Sequence, residues 1–148
     1  MRHEPLRRRR RLQLLRKWEQ EWAEGGDVIL STVLDGVVVG SCGLHRRLGS
    51  DGLEIGYWVD EGHLRQGIAT ETAVMLTSAA FGVSGVSLVE IHHDQANVAS
   101  AGVPKRLDYR LVDETRRVPA APAEIGIEVT WRMQRSDWLR SHPDLAHL

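Results

Sequence analysis

The stretch Leu64-Arg65-Gln66-Gly67-Ile68-Ala69-Thr70 has the residue types and spacing that point most directly to chemistry. It follows a strand-like run, Leu53 to Val59, and opens a helix-like run that continues through Phe81. A strand that passes through a Gly-bearing loop into a helix start makes an anion site. The first backbone N–H groups of the helix lack internal partners, and the helix dipole adds partial positive charge there. Gly67 lets a phosphate approach the backbone with no Cβ in the way. Taken alone, one such Gly is a weak signal, and an ordinary strand-to-helix turn is the commoner reading.

Other chemistry-bearing residues offer less. His92-His93-Asp94 suggests a metal, but adjacent strand residues point to opposite faces, so the two His do not share an ion and no metal is expected. Cys42 is the single cysteine and lies in an apolar strand, where a buried inert thiol is expected. A lone cysteine forms no internal disulfide, which fits a reducing, cytoplasmic location. The net charge of −1 hides an unbroken basic run, Arg7 through Arg11. Such a run could hold nucleic acid or an acidic partner. No aromatic residue interleaves it to stack bases, so a solvated helix start is preferred and nucleic acid is not expected. No apolar run approaches the length of a membrane span, and neither a secretory signal nor a membrane partner is expected.

The elements that must position these residues can be read from periodicity. At 148 residues the chain has the length of one domain, here residues 1–148, with a single core. Leu14, Trp18 and Trp22, with Leu15 beside them, make the apolar stripe of a helix over about Leu6 to Glu24, stopped by Gly25-Gly26. Val28 to Leu34 and Val37 to Leu44 are β-branched runs joined by Asp35-Gly36, a type I′ hairpin signal. Leu53 to Asp60 alternates, with Leu53, Ile55, Tyr57 and Val59 on one face and Glu54, Gly56, Trp58 and Asp60 on the other.

In the helix after Gly67, Ala69, Thr72, Ala73, Leu76, Ala79 and Ala80 form a small-residue face suited to packing on a sheet. Val86 to Ile91 reads as a strand buried on both faces. A helix from about Val98 to Arg106 follows, interrupted or kinked near Pro104, and then strands at Tyr109 to Thr115 and Ile125 to Met133. The tail from Ser136 is polar and expected to be loosely held. The order predicts an α/β fold: one mixed sheet with a βαβ crossover in its middle.

Three local patterns add to that order. They are Glu54-Ile55-Gly56-Tyr57-Trp58-Val59; Gln66-Gly67-Ile68-Ala69-Thr70-Glu71; and Asn97-Val98-Ala99-Ser100 followed by Val103, Lys105 and Tyr109. Together with Thr130-Trp131-Arg132-Met133 through Trp138, they resemble the GNAT superfamily of acyl-CoA-dependent N-acetyltransferases, in its RimJ/RimL-like branch. The resemblance runs from about Val28 to Trp138. The chain departs from the family pattern at Leu64, usually Arg or Gln, and at Arg65 and Asp108, both usually Gly. Asp tolerates the left-handed conformation better than most residues. Members normally begin with a further strand and helix, so the resemblance implies an N-terminally shortened domain.

The resemblance also implies a GNAT-like fold whose parallel strands at Tyr57 to Asp60 and Val86 to Ile91 splay apart. Acetyl-CoA would be the co-substrate, its pantetheine arm on the backbone of Trp58 and Val59. Its pyrophosphate would lie on the amides of Arg65, Gln66, Gly67, Ile68, Ala69 and Thr70. Asn97 would contact the pantetheine or cap the helix after it, and Lys105 would reach the 3′-phosphate or stay solvated. Direct attack by a primary amine needs a proton acceptor and a proton for the leaving thiolate. Glu54 is the candidate acceptor, weighed evenly against a strand carboxylate pairing with an arginine. Ser100 is the candidate donor, weighed against a helix-start residue satisfying a backbone group; a Tyr often serves four residues on, where this chain has Pro104. A protein N-terminus is the favoured acceptor, with a small amine as the alternative. The rival reading is a catalytically weak acyl-CoA-binding remnant acting by binding or by homodimer formation.

Overall fold

In the computed structural model, which describes residues 26–143, Asp35 and Gly36 both take positive φ, 50° and 81°. A type I′ turn requires this conformation, and it joins β1 (Val28–Leu34) to β2 (Val37–His45) as an antiparallel hairpin. The predicted helix over Leu6 to Glu24 and the arginine run lie outside the described residues.

After the hairpin come β3 (Gly52–Val59), a 3₁₀ turn at Glu61–His63, α1 (Ile68–Phe81) and β4 (Leu88–Asp94). Then follow α2 (Val98–Arg106), β5 (Arg110–Arg116), β6 (Ile127–Gln134) and α3 (Arg135–Ser141). The six strands of the described residues form one mixed sheet in the order β1-β2-β3-β4-β6-β5. Only β3 and β4 run parallel, and α1 is the crossover between them.

Alternation divides the sheet into two faces. Val28, Leu30, Cys42, Leu44, Leu53, Ile55, Val89, Ile91, Val129, Trp131 and Met133 are buried on the face that the helices cover. From α1, Ala73, Leu76, Ala80 and Phe81 pack into this layer. Thr72 and Thr77 are buried there too. Their hydroxyls donate to the carbonyls of Ile68 (2.7 Å) and Ala73 (2.6 Å), so helix-interior threonines cost no unpaired polar group.

Three details depart from the periodicity. The strand expected from Val86 starts at Leu88 and runs on to Asp94, because Val86 is buried in the turn that precedes it. The helix expected to be interrupted or kinked near Pro104 is not interrupted there and runs through it. Proline at position 104 has no N–H for the Ser100 carbonyl four residues back, and the Tyr57 hydroxyl donates to that carbonyl instead, at 3.3 Å. Of the tail expected to be loose from Ser136, the residues up to Ser141 belong to α3, and those from 144 on lie outside the described residues. Trp138 is 1% exposed, its indole N–H donates to Ser78 Oγ at 3.1 Å, and its ring stacks on His142. One aromatic anchor outweighs the polarity of the residues around it.

Candidate active site at a fork in the sheet

β3 and β4 pair only from Gly52 opposite Leu88 to Ile55 opposite Ile91. Beyond that point each strand continues with its outer neighbour alone. Gly56 to Val59 stay paired with β2, and His92 to Asp94 with β6. The two parallel strands therefore part at their carboxyl ends, where open α/β sheets take ligands. Exposure along β3 changes at the same place: Gly52 to Ile55 are buried, and none of Gly56 to Val59 is.

The amide of Asp60 bonds the Val39 carbonyl of β2 at 2.7 Å. Alternation then turns the backbone of Trp58 toward β2 and that of Tyr57 and Val59 into the fork. Of the two residues expected to present their backbone there, Val59 does so and Trp58 does not. The Trp58 side chain is 62% exposed, on the face away from the helices.

The loop from β3 to α1 ends at the fork's open side. Asp60 closes the 3₁₀ turn by accepting from the Gly62 amide (3.2 Å) and His63 Nδ1 (3.1 Å). Arg65 and Gly67 are both left-handed, with φ of 62° and 77°. Gly67 is the N-cap of α1, and no side chain caps that end. The Glu71 amide bonds the Gly67 carbonyl at 2.9 Å, which closes the first turn and leaves the Ile68, Ala69 and Thr70 amides as the helix's unpaired donors. An exposed, uncapped N-terminus fits an anion. The left-handed φ at Arg65 explains the family's glycine there, and the φ of 61° at Asp108 explains the other.

Sequence reasoning missed Arg106. From the last turn of α2 its Nη1 donates to Thr70 Oγ1 at 3.3 Å, which puts a guanidinium beside the α1 start. The neighbouring Lys105 points elsewhere, its Nζ 5.9 Å from the centre of the Trp131 ring. A basic residue at the end of a predicted helix was visible in the sequence. Which of two adjacent ones faces the loop was not. Asn97 caps α2, its side-chain oxygen accepting from the Ser100 amide at 3.1 Å. Ser100 is half-buried in that first turn, its carbonyl bonded by the Tyr57 hydroxyl of β3.

Glu54 is 9% exposed and sits one residue before the fork, on the face away from the helices. Arg47 Nη1 donates to its Oε2 at 2.9 Å, so the arginine partner weighed from sequence is present. His92, the first residue of β4 past the fork, is the residue sequence reasoning considered only for metal. Its Nδ1 lies 2.9 Å from Glu54 Oε1 and 2.9 Å from Glu128 Oε1, and its Nε2 lies 2.8 Å from Glu90 Oε1. Glu90 Oε2 accepts in turn from Arg132 Nε at 2.7 Å and from Nη2 of the same guanidinium. Burial pushes the Glu54 carboxyl up, but the His92 hydrogen bond and charge, with Arg47, outweigh it and hold it below the usual carboxylate range. Burial likewise disfavours the imidazolium, yet the bonds to Glu54, Glu90 and Glu128 raise His92 to about 9.

His93 points to the other face, where its Nε2 accepts from the Trp131 indole at 2.9 Å. The two histidines are thus divided between faces. Among the described residues no group of three or more His, Cys, Asp or Glu is arranged to hold a metal ion, and no helix is long and apolar enough to cross a membrane.

The forked sheet with an uncapped helix at its mouth has relatives. The family model described as "Acetyltransferase (GNAT) domain" matches residues 1–110, and the chain belongs to that family. Solved structures share the fold. A "probable acetyltransferase" matches with a TM-score of 0.73 and 23% identity, over 82% of this chain and 70% of its own. RimJ of Mycobacterium smegmatis, in complex with CoA-disulfide, gives 0.68 and 19% over 84% and 64%. RimL, a ribosomal alpha-N-protein acetyltransferase in complex with coenzyme A, gives 0.69 and 16% over 80% and 68%. The chain thus spans 64–70% of the lengths of these three structures. No match was found among curated proteins.

Proposed function

We propose that this chain transfers the acetyl group of acetyl-CoA to a primary amine by direct attack, with a protein N-terminus as the favoured acceptor and a small amine as the alternative. The observation that carries the proposal is the fork. It exposes strand amides at the carboxyl ends of β3 and β4, one loop away from the unpaired amides of α1. Acetyl-CoA supplies the thioester carbon under attack and a thiolate as leaving group.

The residues present fit that co-substrate. The Ile68, Ala69 and Thr70 amides would hold the pyrophosphate, with Arg65 and Gln66 at the rim and Arg106 adding a cation. Val59 would bond the pantetheine through its backbone, and the Tyr57 amide would donate to the carbonyl oxygen as negative charge develops on it. Glu54 accepts the proton that the attacking nitrogen loses as the C–N bond forms. Ser100 donates one to the sulfur as the C–S bond breaks, and recovers it from water. A carboxylate held low in pKa is a weak base. It suits an α-amine, whose pKa of about 8 leaves much of it neutral, better than a lysine at about 10.4. RimL, an alpha-N-protein acetyltransferase of the same fold, acts on an acceptor of this kind, which is in line with the choice.

Free-thiol release from acetyl-CoA, measured against peptides with free N-termini, acetylated peptides carrying lysine, and small polyamines, tests the proposal. Turnover on the free N-termini is the expected result. Tight coenzyme binding with no turnover on any acceptor would refute it in favour of a binding remnant.

A further inference from the structure

We propose that His92 is the positioning residue of this site. Clasped between Glu54 of β3, Glu90 of β4 and Glu128 of β6, its imidazolium holds the Glu54 carboxylate anionic and fixed beside the fork. The inference rests on the reading of Glu54 as proton acceptor, and it concerns what gives that carboxylate its charge and place.

Three observations carry it. His92 is the first β4 residue past the last β3–β4 pair, so its ring stands where the sheet stops holding the two strands together. Both ring nitrogens are engaged, Nδ1 with Glu54 and Glu128 and Nε2 with Glu90, so the ring can serve all its neighbours only as a double donor. The charges balance only if it is protonated: three carboxylates (Glu54, Glu90, Glu128) then face three cations (His92, Arg47, Arg132). Glu90 is 5% exposed at its side chain and already bound by Arg132, so it is a fixed anchor for Nε2. Arg47 is 60% exposed and screened by solvent, which leaves His92 as the less exposed partner that orients Glu54. The other titratable groups that register places on this face among the described residues include His45, opposite Glu54 on β2 and bonded to Asp27, Asp94, opposite Glu128, and Asp113 and Arg110 of β5, opposite Thr130 and Arg132.

The ring therefore does not compete for the amine's proton. It keeps Glu54 in the accepting form through neutral and mildly acidic pH, and ties the acceptor to the strand across the fork.

Carboxyl ¹³C titration of the full chain, with the Glu54 signal assigned by its loss in Glu54→Gln, reads the effect directly. In His92→Gln the Glu54 midpoint should rise by about one unit or more. Lost thermal stability with an unmoved midpoint would make His92 merely structural and overturn the inference. Should His92→Gln fail to fold, Glu128→Gln decides. It removes a like charge and a competing acceptor from Nδ1, so the midpoint should fall, and an unchanged or raised midpoint overturns the inference. The acid limb of kcat/KM should track the midpoint in each variant. A midpoint that moves while the limb stays put supports the His92 assignment and removes Glu54 from the chemistry.

Discussion

Arg106 and His92 act through charge, and each makes a measurable difference between two states. Arg106 lies beside the α1 start, where it would meet a phosphate but no reacting atom. Arg106→Gln should therefore raise KM for acetyl-CoA by roughly five-fold, about 1 kcal/mol for one exposed cation, and leave kcat alone. Initial rates at saturating acceptor would show this, and a matching drop in kcat would place the side chain elsewhere. His92 couples folding to pH. Its pKa is raised from 6.5 in the unfolded chain to about 9 in the fold. The stabilisation it provides is complete below pH 6.5 and lost as pH climbs through about 9. Urea unfolding at pH 6 and at pH 9.5 should differ by up to roughly 3 kcal/mol from this group, and His92→Gln should shrink the difference. Equal pH dependence in both proteins would deny the imidazolium its partners.

At the scale of elements, function depends on where two strands and two helix ends stop. β3 stays a strand past its last pairing with β4 because β2 continues to hold it, so the fork needs no distortion of either strand. α1 begins at a left-handed Gly67, and Gly67→Glu would set a carboxylate at the mouth of the proposed anion site and strain a φ of 77°. Acetyl-CoA affinity should fall by at least roughly ten-fold while circular dichroism stays native. Unchanged affinity in the folded variant would refute the phosphate placement. α2 carries its proline because Tyr57 fills the gap that proline leaves. Tyr57→Phe should cost about 1 kcal/mol by orphaning the Ser100 carbonyl. In a Pro104→Ala background a backbone N–H replaces the hydroxyl, and the cost should shrink toward zero. Equal costs in the two backgrounds would disprove the compensation.

Among the described residues the strands make a single sheet whose helices all pack on one face, leaving the charged cluster on the other. The C-terminal helix closes that core: Trp138 packs into it and bonds Ser78 of α1, the helix that opens at the proposed anion site. Trp138→Ala should destabilise the chain by about 3–5 kcal/mol, the usual loss for a buried aromatic. A melting temperature close to that of the unaltered protein would mean that α3 is dispensable.

Much of this was legible along the chain because the relevant signals are local. Asp35-Gly36 specifies its turn by φ alone, the alternation from Leu53 to Val59 specifies two faces, and Gln66-Gly67-Ile68 marks a helix start open to an anion. Residues far apart in sequence supplied the rest. Nothing near Glu54 announces His92, nothing near Thr70 announces Arg106, and nothing near Pro104 announces Tyr57. The insertion of β6 between β4 and β5, and the residue at which β3 and β4 part, are likewise pairings between distant segments. Short-range sterics and capping determine an element from its own residues. Charge compensation and strand pairing depend on which elements the folded core brings together, so the tertiary structure alone decided them.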